Sequence, residues 1–468
     1  MRRWSSLAVL SVLALLAGAC GGDDDDASTT VEPAAGDATT AATEAEEVTT
    51  GAAEEVTTEA TEAPAEDTTT SEAAATDSTG TETTLPTRAD ADLVIWADDT
   101  RTPTLEPFAD AFAEENGVTV AVQELAFDQI RDQLSVAGPA GEGPDIIIGA
   151  HDWLGQLVTD GTVAPVELPN SGDFLEVAIE GFTYDGQLYG VPYAVENIAL
   201  LRNTDLVPEA PATFEEVEQI ALDLVASGEA SVPLAVQNSP ADPYHNYPLF
   251  SALGGYVFGQ NEDGTYNPDD LGIDSAGGLA AADQFAAWVE SGLLNPDLDY
   301  GAMIEAFGSG AAPFAITGPW AVAQEDTGFE ATGVPFAVDP FPPLAGTAPS
   351  PFVGVQGFMV SAFAASPLLA QTFVVDAMAS EEAQLALYEA GGRPPALTSA
   401  YEIASEDPVI QGFGAAGEAG QPLPAIPAMN AVWTAWTDAY TLIFTGGAAP
   451  EQAFTDAAAQ IRELIAAG

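Results

Sequence analysis

The chain has 468 residues, 73 acidic against 8 basic side chains and a formal net charge of −65, and all eight basic residues are arginine. That balance argues against a nucleic-acid binder, whose affinity comes from cationic contacts to phosphate, and against docking on anionic lipid through a basic patch. A single cysteine excludes an internal disulfide or a CxxC metal site, and only two histidines, His151 and His245, are present, so neither a metal nor a cofactor is expected.

The N-terminus reads as an export signal. Arg2 and Arg3 precede an apolar run at residues 7–16, followed by Ala17, Gly18 and Ala19. The run is too short to span a bilayer as a mature helix. Cys20 follows directly, and the junction resembles a bacterial lipoprotein lipobox, with Ala17 where such sequences more often carry leucine. The resemblance implies a signal peptide at 1–19, acylation of the Cys20 sulfur, and a protein lipid-anchored on the extracellular face of the cell membrane. Residues 20–90 are Thr, Ala, Glu and Asp with almost no large apolar side chain. Such a segment cannot bury enough apolar surface to offset its ordering entropy, so it is expected to stay disordered. As a coil of roughly 70 residues it would span about 45–50 Å, lengthened by self-repulsion. It reads as a leash between lipid and domain.

From residue 91 onward strand and helix patterns alternate. Residues 92–97 (DLVIWA) form a short apolar strand. Residues 105–115 carry Leu105, Phe108 and Phe112 at helical spacing, and Gly117 suits the stop. A strand at 118–125 and a helix at 127–137 follow, with Ile130 and Leu134 on one face. Ile146, Ile147 and Ile148 are a continuous apolar run of the kind found in buried parallel strands. Thr213 and Glu216 have capping-box spacing ahead of a helix reaching residue 225. An Ala-rich helix is expected at 274–290, strands at 311–317 and 351–361, and mostly helix from 380 to the end. The last helix places Phe454, Ala458, Ile461 and Ile465 on one stripe, a packing face. The alternation indicates an α/β layer fold.

Four segments carry a resemblance. They read GPDIIIGAHD at 143–152, GVPYAVENIALLRNTD at 190–205, AITGPW at 315–320 with PFVGV at 351–355, and LPAIPAMNAVW at 423–433. In this order and spacing they resemble the extracellular solute-binding proteins of ABC importers, and most closely the maltose/maltodextrin-binding branch. The resemblance runs over essentially all of 92–468. It implies a two-lobe, periplasmic-binding-protein-like fold (type II) with a hinge, lobe 1 being about 91–194 and 356–405, and lobe 2 about 197–349 and 410–468. It implies a monomeric receptor that closes on a carbohydrate and delivers it to a membrane permease, with no catalysis.

A pyranose offers apolar CH faces to rigid aromatic rings and hydroxyls to carboxylates, whose charge-assisted bonds are stronger than neutral ones. By resemblance, Trp320 and Trp433 are stacking positions, whereas Trp436 reads as packing. Glu196 falls at the acid of the YPxAVE segment and would accept from sugar hydroxyls. Asp242-Pro243-Tyr244 stands in place of Glu-Pro-Tyr, so Tyr244 can stack while Asp242 reaches one methylene less far. Asp152 keeps the acid of the AHD motif, and His151 beside it reads as structural. Arg101 takes the place of a cleft lysine, with Asp98 or Asp99 nearby, and Thr100 replaces an acid. Gly149 stands where the maltose branch has a lining tryptophan, and Trp153 where it has an arginine. Either the aromatic surface has moved by four positions or the sugar differs. Three other readings stay open: a binder of another disaccharide or of a cationic solute such as a polyamine; a secreted glycoside hydrolase, which would need two carboxylates at a set separation; and a ligand-dependent sensor partner or surface adhesin in place of an importer component.

Overall fold

The computed structural model describes residues 87–467 apart from 263 and 324–327. The expected signal peptide, Cys20 and nearly all of the leash therefore lie outside the described residues.

Two sheets organise the chain. In the first, the strand Leu93–Ala97 pairs in parallel with Val120–Glu124 on one side and with Ile146–Ala150 on the other. All five residues of Leu93–Ala97 are buried, because helices cover both faces of a parallel layer. The long strand Phe352–Ser361 pairs antiparallel with Ile146–Ala150 and with Gly190–Asn197. The second sheet has four strands in the order Phe336–Asp339, Ala199–Asn203, Phe314–Thr317, Leu234–Ala235. Its alternation decides which core each residue serves. Leu200, Phe314, Ile316 and Leu234 pack into one cluster with the C-terminal helices, while Ala199, Leu201, Ala315 and Ala235 pack into another on the opposite face. Each sheet heads its own lobe, in the periplasmic-binding-protein-like arrangement.

The strands Gly190–Asn197 and Phe352–Ser361 run from one lobe into the other. Ile198 alone separates Gly190–Asn197 from Ala199–Asn203 of the second sheet. Phe352 packs in the second lobe, its ring 3.4 Å from that of Tyr247, whereas Val355 to Val360 pack in the first.

Local signals explain the boundaries. The helix Thr102–Asn116 begins earlier than its apolar spacing predicts, because the Asp98 carboxylate accepts from the Thr100 and Arg101 N–H groups and Pro103 sits in the first turn. Gly117, at φ +65°, ends it. Thr213 caps the helix Phe214–Ser227 through Glu216 N–H at 3.3 Å. The Glu216 carboxylate reaches back to the N–H of Ala212 at 2.7 Å, one residue before the cap, so the capping box is stretched by one position. In the last helix, Pro450–Ala467, Phe454, Ala458 and Ile461 are fully buried, and Ile465 packs against the same core.

At the edge of the first sheet where Leu93–Ala97 begins, buried Asp145 is a hub. Its carboxylate accepts from Val94 N–H at 2.7 Å, from Ser366 N–H at 3.0 Å and from Arg88 Nη2 at 2.6 Å. Arg88 also donates to the Gly143 carbonyl, and Gln123 bonds Thr87 and Ala89. The segment from residue 87 is thus already fastened to the domain, so the last four residues of the stretch expected to be leash belong to it.

Candidate functional site

The opposite edge of the first sheet carries the expected groups, in keeping with the rule that ligands sit beyond the carboxyl ends of parallel strands. Past Ala97, Asp98 and Arg101 form a buried ion pair. Arg101 Nε donates to the Tyr193 hydroxyl at 2.6 Å, and its guanidinium lies 5.0 Å from the Phe127 ring. Burial raises the Asp98 pKa, but Arg101 and the Thr100 hydrogen bond outweigh it and hold the carboxyl below its usual range. Arg101 Nη2 is buried without a hydrogen-bond partner among the described residues.

Past Ala150 come His151, Asp152 and Trp153, all buried. His151 is occupied by backbone: Nδ1 accepts from Val355 N–H at 3.0 Å, and Nε2 donates to the Leu423 carbonyl at 3.0 Å. Burial pushes its pKa down to about 4, so the ring is neutral and ties together two hinge-side segments. Asp152 accepts from Trp433 Nε1 at 3.2 Å, a bond between the lobes. Burial lifts its carboxyl to about 6; Arg131 and the Trp433 bond oppose the rise, and Glu196 adds to it. Trp153 packs against Phe127, ring centroids 4.8 Å apart and tilted by 40°, with Arg131 6.0 Å from its ring. Its ring fills the space above Gly149, where an added Cβ would fall 2.3 Å from Cζ3. The Trp153 ring thus occupies the space that a side chain at 149 would need.

The floor between the lobes is built on the crossing strands. Glu196 pairs with Gly354 in the sheet register. Its Oε1 accepts from Gln356 Nε2 at 2.8 Å and its Oε2 from Arg393 Nε at 2.7 Å. A Cβ at Gly354 would meet both Glu196 Cγ and the Tyr244 hydroxyl at 3.3 Å, so glycine lets these two side chains share the floor. The Tyr244 hydroxyl is buried with no hydrogen-bond partner among the described residues. Burial, then the charges of Glu196, Asp152 and Asp242, raise its pKa far above the usual value, and it stays protonated as a donor.

The second lobe supplies rings. Tyr244 is the second residue of the helix Pro243–Ala252, which Asp242 caps by accepting from the Tyr244 N–H at 2.8 Å. Asp242 also pairs with His245 Nδ1, so both its oxygens are engaged by its own helix. Burial works to raise the Asp242 carboxyl, yet the His245 ring and the capped N–H groups win and hold it low. Trp320 follows Gly318-Pro319. A Cβ at Gly318 would fall 2.1 Å from the ring, so only glycine lets Trp320 fold back over its own backbone. The ring lies 6.2 Å from Tyr244, edge-to-face with His245 at 5.8 Å, and 5.3 Å from the Arg393 guanidinium. Trp433 is partly buried, and Trp436 is wholly buried against Tyr247, Phe250 and Tyr440, as packing requires.

The structure thus brings Glu196, Tyr244, Trp320, Trp433 and Asp152 to one place. Asp98, Arg101 and Trp153 stand on the first-lobe side, and Asp242 supports the second. Sequence reasoning missed Arg393 and Gln356, which hold Glu196. Gln356 is one position in an apolar strand, and Arg393 is 197 residues from its carboxylate. The one available signal was scarcity, an arginine between Gly392 and two prolines in a chain with eight basic residues. No group of three or more His, Cys, Asp or Glu side chains among the described residues could hold a metal ion.

Residues 108–412 match the family described as bacterial extracellular solute-binding protein. The chain is 31% identical to the galactooligosaccharide-binding protein of Bacillus subtilis over 392 residues, 81% of this chain and 90% of that protein. It is 29% identical to the maltodextrin-binding protein of the same organism, over 67% of this chain and 75% of the relative. Among solved structures, the Thermus thermophilus maltotriose binding protein bound with maltotriose superposes with a TM-score of 0.73 at 30% identity, over 80% of this chain and all of that one.

Proposed function

The chain belongs to the bacterial extracellular solute-binding proteins, and from that premise we propose that it is the sugar-capturing receptor of an ABC importer. Its ligand class is a maltose- or maltodextrin-like oligosaccharide. The observation that carries this reading is the meeting of two indoles and a phenol with two carboxylates at the hinge, drawn from segments as far apart as Asp152 and Trp433. Rings would cover the CH faces, and Glu196, Asp152, Arg101 and the Tyr244 hydroxyl would take the hydroxyl rim. The protein binds and delivers; it does not catalyse. Lobe closure about the strands Gly190–Asn197 and Phe352–Ser361 buries the sugar, and the closed form docks on a permease. Lobe 1 is about 91–194 and 356–405, lobe 2 about 197–349 and 410–468. The receptor is a monomer held on the outer face of the cell membrane by lipid at Cys20, with the acidic stretch to residue 90 as its leash.

A thermal-shift screen of purified protein tests the ligand class. The set is maltose, maltotriose, a galactooligosaccharide, trehalose, sucrose, cellobiose and spermidine. Stabilisation by an oligosaccharide supports the reading, since binding to the folded state alone raises the melting temperature. A response to spermidine with none to any sugar would replace it with the polyamine reading.

A further inference from the structure

Resting on the carbohydrate reading, we propose that Arg393 is a positioning residue for ligand capture, setting the Glu196 acceptor of one lobe against the Trp320 platform of the other. All six arginines from residue 88 onward are paired with a carboxylate. Five of these pairs stay within one lobe. Arg393 differs: its Nε holds Glu196 on a crossing strand, while its guanidinium lies 5.3 Å from the ring of Trp320 in the second lobe.

The loop that carries Arg393 is fitted to both sides. Val195 N–H donates to the Pro394 carbonyl at 2.9 Å, stitching the loop to the strand of Glu196. Gly392 has φ +66°, and a Cβ there would meet the Pro319 carbonyl at 2.6 Å and Ala323 Cβ at 3.1 Å. Glycine is thus required both by the backbone turn and by the close approach to the segment bearing Trp320.

The chemistry explains why the residue is arginine. Glu196 is buried, and a buried carboxylate without a partner is costly. Arg393 compensates its charge, and together with Gln356 it takes one bond on each oxygen, which fixes the plane of the carboxylate. The flat guanidinium can make that bond edgewise and still offer its face to the indole, which lysine cannot do. The Glu196 orientation and the Trp320 position are therefore set by one side chain.

The test uses the full chain with maltotriose as probe, titrated calorimetrically, and reads Trp320 emission as the difference from a Trp320→Phe background. Arg393→Met is expected to weaken maltotriose binding roughly tenfold or more and to shift the Trp320 difference emission in the ligand-free protein. Arg393→Lys should recover only part of the affinity. Should Arg393→Met fail to fold, Glu196→Gln/Arg393→Met leaves no orphan charge, and it is expected to shift the Trp320 difference emission relative to Glu196→Gln alone; no shift between these two folded variants would overturn the proposal. Wild-type affinity together with unchanged Trp320 emission in a folded Arg393 variant would overturn the proposal. A wild-type protein that binds no sugar would refute the carbohydrate reading instead, and the emission measurement would still decide the role of Arg393.

Discussion

Gly149→Ala is a small change at a position where the structure leaves no room. The new Cβ would lie 2.3 and 2.4 Å from Trp153 ring carbons and 3.0 Å from Met359 Cε. The ring cannot swing away freely, because Phe127 packs against it at 4.8 Å and only 7% of the residue is exposed. Overpacking of this kind costs about 1–3 kcal/mol, against a gain of about 0.4–1 kcal/mol from restricting the unfolded chain. The expected net loss is about 1–2 kcal/mol, a fall in melting temperature of about 1–3 °C for a domain of about 380 residues. Differential scanning calorimetry would measure it, with Trp153→Leu as partner. Emptying the ring's space should rescue Gly149→Ala, with a coupling of about 1 kcal/mol. The same displacement should weaken maltotriose binding if the Trp153 ring lines the cleft. Full stability in Gly149→Ala, or strict additivity in the double variant, would refute the account of why glycine stands at 149.

Three further outcomes are expected. Trp320→Ala should raise the maltotriose dissociation constant by about 10- to 100-fold, the range for losing an aromatic anchor, while circular dichroism shows an intact fold; an unchanged calorimetric affinity would mean the sugar sits elsewhere. The Asp152 carboxyl titrates near 6 against an ordinary 3.8. Its raised value favours the protonated fold, so that contribution is present below the unfolded pKa and is lost as pH rises through about 6, about 3 kcal/mol in all. Asp152→Asn should therefore gain melting temperature relative to wild type between about pH 4 and about pH 8, and a constant gap would contradict the burial argument. Cys20→Ala should move the protein from the membrane fraction to the medium in an immunoblot of fractionated cells; retention on the membrane would exclude the lipid anchor.

The buried strands and the last helix were legible because burial writes itself into local periodicity: Ile146 to Ile148 and the stripe from Phe454 to Ile461 are buried as their spacing predicts. The ring and acid positions were legible only through resemblance, since nothing in a lone Glu196 or Trp320 distinguishes ligand contact from packing. Partnership between distant side chains was not legible. Glu196 reads as a free acceptor, yet both its oxygens already have protein donors. Asp242 reads as a contact residue, yet it caps its own helix and holds His245. His151 read as structural, and two backbone bonds show how it is used.

The hub at Asp145 has a mechanical consequence. Arg88 is fastened where Leu93–Ala97 begins, and Asp98 stands where that strand ends, roughly 15 Å further on at about 3.3 Å per residue. The chain arriving at residue 87 therefore grips a single lobe, on the side away from the cleft. In the proposed tethered receptor, lobe closure would leave the grip point fixed relative to its own lobe and so would do no work against the tether. Tension on the proposed anchor would then drag the whole receptor without prying it open, and affinity for ligand is expected to be the same on a slack leash and a taut one.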